Sequence, residues 1–328
     1  MKKMVGIIAY VMTGITLLTG SIVTSARGLS DKDKAIYKTA KTQQSAVDSL
    51  GFKGFSLQDY KILFYDGKKD YEVKEEDGEL VITKQKPVLS TFAATAYEED
   101  GEYEIIVPTL DKIGKMFDML NSAGQLKDKE SSSVSFAQDS YGEKEQVATI
   151  WHEAFHAYQF TKYDEPLTKF IGNHTFSEDD LGEAVIVEEV DENKEQKSLY
   201  EQELAFLKKA IDTTEVDTLK ELILQYITLD EERTKQLSER ARITEKYYKT
   251  VEGSARYVEA YVYRNLYSQK KFSDYYLANM DQFKKGSAKY YQVGMAECML
   301  LDKLDANWKE EYDFSKSFQE ILLNLIQK

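Results

Sequence analysis

The chain contains the sequence Trp151-His-Glu-Ala-Phe-His156, a His-Glu-x-x-His motif with residue types suited to chemistry at a metal ion. In a helix, side chains four residues apart project from one face, so His152 and His156 can bind the same ion. Glu153 lies about 100° around the helix from His152. Its carboxylate can therefore take the proton of a zinc-bound water that attacks a carbonyl group. The motif predicts zinc ligands at His152 and His156 and a general base at Glu153.

Histidine is rare in this protein, and two of its three histidines lie in the motif. At this composition the motif arises by chance with odds of about one in several hundred. An apolar helix also gains nothing from burying two imidazoles and a carboxylate without partners. Both points favour a metal site, and we expect one zinc ion per chain.

A catalytic zinc ion needs a third protein ligand and one open coordination position. The best candidate is Glu252, in the sequence Thr250-Val-Glu-Gly-Ser-Ala-Arg-Tyr-Val-Glu259. Glu183, Glu201 and Glu203 remain alternatives, because the sequence alone does not show how the intervening helices pack.

The run Glu252-Gly-Ser-Ala-Arg-Tyr257 resembles the Glu-Gly-x-Ala-x-Tyr segment of gluzincins, which include the aminopeptidase and bacterial collagenase families. This resemblance implies a zincin-like fold, peptidase activity and a role for Glu252 as the third ligand. It also implies that the small Gly253 lets the glutamate helix pack closely against the motif helix, and that Glu259 supports the site from outside the ligand set.

A weaker similarity concerns Tyr291-Gln-Val-Gly294, which resembles the Tyr-x-x-Gly segment of the same aminopeptidases. The tyrosine hydroxyl of that segment stabilises the oxyanion, so the resemblance implies this role for Tyr291. Tyr290 and His174 are the alternatives, and His174 is otherwise interpreted as a surface residue.

The chain departs from the aminopeptidase pattern in two respects. The interval from His156 to Glu252 is far longer, and the Gly-x-Met-Glu-Asn segment that binds a free α-amine is absent. The resemblance therefore does not extend to exopeptidase activity, and we expect an endopeptidase with peptide or protein substrates.

The elements that position these residues fall into two regions. Short branched and aromatic runs between residues 60 and 107, separated by Asp-Gly pairs, predict an antiparallel β-meander with hairpins. Ser132 to Phe136 is predicted as a further strand that can pair with an extended substrate. No glycine or proline occurs between Gly142 and Pro166, and apolar residues recur there at helical spacing. This pattern predicts a long motif helix.

Helical patterns continue from residue 143 almost to the end of the chain, apart from an acidic segment at 176–196 that we predict to be a solvated loop or lid. The fold class is therefore α+β, with a small N-terminal antiparallel sheet packed on a mainly helical body. Residues 27–328 are predicted to form a single zincin-like catalytic domain, β-rich at about 60–140 and helical at about 143–328.

Residues 1–26 predict export. Lys2 and Lys3 precede an apolar run from Met4 to Val23, and Thr24-Ser-Ala26 fits a signal-peptide cleavage site. An uncleaved membrane anchor is the alternative, because a run of about 20 apolar residues can span a bilayer. This segment is the only membrane contact that we expect, and the protein is predicted to be secreted or otherwise extracytoplasmic.

The formal net charge of −14 disfavours a nucleic-acid partner. Cys298 is the only cysteine, which excludes an internal disulfide, and its apolar neighbours predict a buried structural thiol.

A second functional hypothesis is an exported binding protein that keeps a zincin scaffold and recognises a partner through the acidic helices at 230–249. The simpler interpretation of those helices is a solvated face with pairs such as Glu245 and Lys249.

Overall fold

The computed structural model describes residues 4–7, 28–89, 94–122, 141–172 and 182–327. Two compact units are present, one containing residues 1–46 and 56–157 and the other residues 47–55 and 158–328. The first unit contains the β-sheet and the second is helical. The predicted α+β class is confirmed. The prediction of one catalytic domain spanning both units stays a prediction.

Within the described residues, six strands form one sheet. They are β1 Met4–Ile7, β2 Lys61–Tyr65, β3 Asp70–Glu76, β4 Glu79–Gln85, β5 Thr95–Glu99 and β6 Glu102–Pro108. Their order in space is β1-β5-β6-β2-β3-β4. Five strands come from residues 61–108, whereas β1 belongs to the predicted leader.

The Asp-Gly hairpin turns are confirmed. Asp77 and Gly78 connect β3 to β4 with φ values of 50° and 80°. Asp100 and Gly101 connect β5 to β6 with φ values of 53° and 85°. Positive φ at both central positions is the geometry that two-residue hairpins favour, because its twist matches that of the flanking strands.

The predicted antiparallel meander is wrong at one pairing, because β2 and β6 run parallel, with Leu63 opposite Ile106. The second hairpin therefore adds to the free side of β2 instead of continuing the sheet beyond β4. Nearly every residue of β2 and the last five residues of β6 are buried. Strands with continuous apolar runs occupy the centre of a sheet, where both faces are covered.

The first unit also contains helices. They include α1 Asp31–Thr42 and α3 Leu110–Ser122, while the short α2 Gln44–Asp48 crosses into the second unit. Asp33 accepts a hydrogen bond from the backbone N–H of Leu110 at 3.0 Å, which satisfies a donor at the start of α3 and ties it to α1.

The motif helix, α4 Glu143–Ile171, begins where the sequence predicts. It belongs to the first unit up to Ala157 and to the second from Tyr158 onward. It kinks at Tyr163, whose φ and ψ are −131° and 23°. Pro166 follows three residues later, in the first turn after the kink. The N–H groups of a first turn have no partner within the helix, so the missing N–H of proline removes no helical hydrogen bond there.

The remaining helices lie in the second unit. They are α5 Glu183–Ile186, α6 Lys194–Asp212, α7 Val216–Thr234, α8 Glu239–Tyr247, α9 Gly253–Leu266, α10 Gln269–Phe272, α11 Ala288–Leu304 and α12 Phe318–Ile326. Single π-helical turns occur at Val187–Asp191, Tyr248–Glu252 and Ser273–Leu277. Cys298 is buried in α11, as predicted.

The prediction of a solvated loop over the acidic segment is wrong from residue 183 onward. That part is helical, and Ile186 and Val190 are fully buried one turn apart. Its acidic residues serve as local partners: Glu183 accepts from the backbone N–H of Ser287 at 3.0 Å, and Asp191 pairs with Lys289 at 2.7 Å.

Among the described residues, no helix is both long and apolar enough to cross a membrane. Most of the predicted signal peptide and the predicted strand Ser132 to Phe136 lie outside the described ranges. Both therefore stay predictions.

Candidate metal centre

Side-chain hydrogen bonds fix the motif helix on both sides of its two histidines, and each bond lies within one unit. In the first unit, the Trp151 indole donates to the Ala40 carbonyl at 3.1 Å, and the Gln146 amide donates to the Pro108 carbonyl at 2.6 Å. In the second, the Gln159 amide donates to the Val251 carbonyl at 3.1 Å. These contacts set the rotation of α4 about its axis, which determines where its histidines point.

His152 and His156 face each other one helical turn apart. Their Nε2 atoms are 3.0 Å apart, and the two rings meet edge to face with centroids separated by 4.7 Å. Both side chains are about 1% exposed. Burying two imidazoles is costly unless they are hydrogen-bonded or coordinate an ion.

Glu252 completes a three-residue group with these histidines. One carboxylate oxygen of Glu252 and one nitrogen of each imidazole all lie within 4.8 Å of one another, and all three side chains are buried. His152, His156 and Glu252 can therefore hold a metal ion. Among the described residues, no other set of three His, Cys, Asp or Glu side chains comes together in this way.

The three alternative ligands lie elsewhere. Glu183 binds the backbone of Ser287, Glu201 lies on an exposed surface 3.9 Å from Lys197, and Glu203 is fully buried against Arg233 at 2.5 Å. Each side chain has a local partner. Glu252 is thus the candidate that the fold brings to the histidines.

Glu252 is the last residue of a π-helical turn that joins α8 to α9. Such turns insert one residue into a helix and are frequent at functional sites, because they redirect a side chain without ending the helix. Gln159 of α4 binds this region twice, at the Val251 carbonyl and at the Ser254 hydroxyl, the latter at 2.9 Å.

The structure gives a reason for glycine at position 253 that differs from the one implied by the gluzincin resemblance. A Cβ atom at this position would lie 2.5 Å from the Cα atom of Gly294 in α11, and a Cβ at Gly294 would lie 1.9 Å from the Lys249 carbonyl oxygen. The close approach is therefore to α11 and not to the motif helix. The Glu-Gly and Tyr-x-x-Gly fragments of the sequence meet at this backbone contact.

Glu153 is completely buried, and its Oε2 atom accepts a hydrogen bond from the backbone N–H of Ala96 in β5 at 3.0 Å. Both residues belong to the first unit. The bond fixes the orientation of the carboxylate beside the strand.

The two tyrosines considered for the oxyanion have different environments. Tyr290 is fully buried and its hydroxyl donates to Glu245. Burial, together with the Glu245 carboxylate, raises the pKa of Tyr290 well above its usual range. Tyr291 is partly exposed and stacks on Tyr248 with centroids 5.7 Å apart. His174 lies outside the described residues.

Glu259, which the gluzincin resemblance places in support of the site, is buried and pairs with Arg256 at 2.5 Å. It also accepts a hydrogen bond from the Tyr276 hydroxyl at 3.0 Å. The second contact joins α9 to the π-helical turn Ser273–Leu277. A supporting role at the metal centre stays a prediction.

The sequence interpretation missed a buried charge cluster formed by Glu203, Asp230, Arg233, Glu245 and Lys249. A solvated face was predicted for the helices at 230–249, yet these side chains are at most 8% exposed. The available signal was spacing: Asp230 and Arg233 continue the helical stripe of Leu219, Ile223 and Tyr226, which is buried.

Comparisons of the chain with family models, with curated proteins and with solved structures found no significant match.

Proposed function

We propose that this protein is an exported zinc-dependent endopeptidase of the gluzincin type with a zincin-like fold. The observation that carries the proposal is the meeting of His152, His156 and Glu252 within 4.8 Å, with all three side chains buried. The first two belong to the His-Glu-x-x-His motif, and the third lies in the distant segment that the gluzincin resemblance indicates.

The donor set suits zinc. Zinc takes two or three imidazole nitrogens with a carboxylate oxygen at about 2.0–2.2 Å, so tetrahedral ligand atoms lie roughly 3.3–3.6 Å apart. The 3.0 Å between the two Nε2 atoms is close to that separation. Three protein ligands leave one coordination position open, which is typical of catalytic sites.

A bound zinc ion supplies Lewis acidity, which lowers the pKa of a water molecule and polarises a substrate carbonyl. The protein supplies the general base. Glu153 follows the first histidine ligand directly, and the Ala96 N–H holds its carboxylate in one orientation. A fixed carboxylate accepts the proton of the attacking water and can return it to the leaving amine.

An extended peptide fits the surroundings of Glu153. The backbone of β5 borders that carboxylate through Ala96, and among the described strands β5 becomes the outermost once the predicted leader is removed. An edge strand offers free backbone donors and acceptors to a peptide that adds as a further strand. These features support a peptide or protein substrate that is cleaved at an internal peptide bond.

Metal analysis tests the first half of the proposal. We expect about one zinc per chain in the purified protein, and its loss in His152→Ala, His156→Ala and Glu252→Ala, because each variant removes one of three ligands. Glu201→Ala is the control, since it removes an exposed glutamate of the second unit. Full zinc content in either histidine variant would contradict the ligand assignment.

Peptide-library digestion tests the second half. Glu153→Gln keeps the side-chain shape but cannot accept a proton, so zinc stays while turnover falls by roughly 10²-fold or more. Unchanged turnover would exclude Glu153 as the base. Zinc binding without cleavage of any peptide by the parent protein would favour the exported binding protein instead.

A further inference from the structure

Glu252 belongs to a helical segment that is held by buried charges. The segment comprises α8 Glu239–Tyr247 and the π-helical turn Tyr248–Glu252. Glu245 and Lys249 lie on it, about two turns and one turn before Glu252 respectively. Their side chains are 2% and 8% exposed.

The ion-pair partners of these two residues lie on α7, and α6 contacts one of those partners, Arg233. Arg233 donates to both carboxylate oxygens of Glu245, at 2.7 and 2.8 Å, and to Glu203 at 2.5 Å. Lys249 pairs with Asp230 at 2.5 Å. The Arg233 side chain is fully buried, and a two-pronged arginine–carboxylate contact fixes orientation as well as distance.

Helix α11 holds the same segment from a second direction. The Tyr290 hydroxyl donates to Glu245, and Gly294 lies in backbone contact with Lys249 and Gly253. Three elements of the second unit therefore meet on this segment: α7, α11 and the motif helix through Gln159. Helix α6 supports them through the contact of Glu203 with Arg233.

We infer that Lys249 and Glu245 are positioning residues for the metal ligand Glu252, acting through the charge cluster and Tyr290. The inference rests on the proposed role of Glu252 as a ligand. A buried ion pair resists displacement because separating its charges leaves one unpaired in a low-dielectric interior. Groups that orient metal ligands typically change metal affinity by about 10- to 100-fold when removed.

A purely structural cluster would stabilise the second unit without any special effect on the metal. The chain offers a matched control for this alternative. Lys289 pairs with Asp191 at 2.7 Å, and both side chains are about 1% exposed, yet neither residue lies on the segment that carries Glu252. Lys249→Met and Lys289→Met therefore each remove one buried lysine–aspartate pair from the same unit.

The experiment measures zinc affinity by chelator competition and the unfolding midpoint of the metal-free protein. We expect Lys249→Met to raise the zinc dissociation constant about 10-fold or more, and Lys289→Met to change it less than about 3-fold despite a comparable fall in the unfolding midpoint. Equal changes in zinc affinity for the two variants, or no change for Lys249→Met, would overturn the inference.

A milder pair of variants keeps the test valid if Lys249→Met does not fold. Tyr290→Phe removes the hydroxyl that binds Glu245, whereas Tyr226→Phe removes an equally buried hydroxyl that donates to Glu297 at 2.6 Å. Weaker zinc binding in Tyr290→Phe alone supports the inference, and equal zinc affinity in the two variants contradicts it. Unchanged zinc content in Glu252→Ala would instead refute the proposed ligand itself.

Discussion

At the scale of single residues, two adjacent tyrosines illustrate how surroundings separate possible roles. The Tyr290 hydroxyl is committed to Glu245 within the protein interior. Tyr291 is partly exposed, and its ring stacks on Tyr248, which belongs to the turn that presents Glu252. Of the two, Tyr291 is the one whose environment is compatible with contact to a substrate.

We therefore predict that Tyr291→Phe lowers kcat by about 10²-fold, the usual scale for loss of one oxyanion donor. KM and zinc content should change little, because the hydroxyl acts on charge that develops in the transition state. Steady-state kinetics at saturating zinc provide the measurement.

Tyr290→Phe is the matched comparison for this prediction. At saturating zinc its kcat should fall far less than that of Tyr291→Phe, because its hydroxyl is bound to Glu245 and not to substrate. A larger loss of kcat in Tyr290→Phe would reverse the assignment of the two tyrosines.

The site residues differ in how far the sequence alone could identify them. His152, Glu153 and His156 share one helix, so their geometry follows from helical spacing alone. Glu252 was chosen from a resemblance, since no local rule relates residues of distant helices. The charge cluster was missed because charged side chains are rarely buried unless paired, and a sequence does not display the pairs.

At the scale of elements, the contact between α9 and α11 depends on two glycines. Their backbones approach so closely that a Cβ atom at Gly294 would lie 1.9 Å from the Lys249 carbonyl oxygen. That neighbour is backbone, which cannot rotate away as a flexible side chain can. The contact also adjoins the turn that ends in Glu252.

We predict that Gly294→Ala destabilises the protein by about 1–3 kcal/mol or more, the range for forcing extra atoms into a packed interior. The helix α11 must move away from Lys249, so zinc binding should weaken as well. Chemical denaturation and chelator competition measure the two effects.

Gly114→Ala is the control for this substitution. Gly114 is also helical, in α3, but outside its own stretch of helix no described atom lies within 4 Å of a Cβ added there. Alanine at an open helical position should stabilise by about 0.5–1 kcal/mol, because glycine loses more conformational freedom on folding. Similar stability changes in the two variants would show that the α9–α11 contact is looser than the structure indicates.

The elements also show where local sequence patterns stop being informative. Hairpin turns and the start of the motif helix were predictable, because both depend on residues close in sequence. The parallel pairing of β2 with β6 was not, since it depends on where the second hairpin docks. Unbroken apolar runs such as Ile105-Ile-Val107 were the signal for a central strand.

At the scale of the whole molecule, stability depends on a charge imbalance within the second unit. The carboxyl groups of Glu203, Asp230, Glu245 and Glu297 lie near only two cations of the cluster, Arg233 and Lys249. Burial raises the pKa of Glu203 to about 8 and that of Glu297 to about 7. Burial opposes ionisation of Asp230 too, but Lys249 and Arg233 lower its pKa to about 2.

These shifts imply that the folded protein binds protons that the unfolded chain releases. An unfolded glutamate has a pKa of 4.5, so Glu297 contributes stability at lower pH that is lost as the pH rises towards about 7, and Glu203 does so towards about 8. Stability from these two groups therefore falls between about pH 4.5 and 8.

We predict that the free energy of unfolding of the metal-free protein decreases less between pH 5 and pH 8 in Glu297→Gln than in the parent protein. Glutamine resembles the protonated carboxyl group but cannot ionise, so its proton-linked contribution disappears. Denaturant titrations at several pH values measure the slope. Glu232→Gln, at an exposed position on α7, is the control and should keep the parental slope. If Glu297→Gln keeps that slope as well, Glu297 is ionised in the folded protein near pH 5, and burial does not raise its pKa.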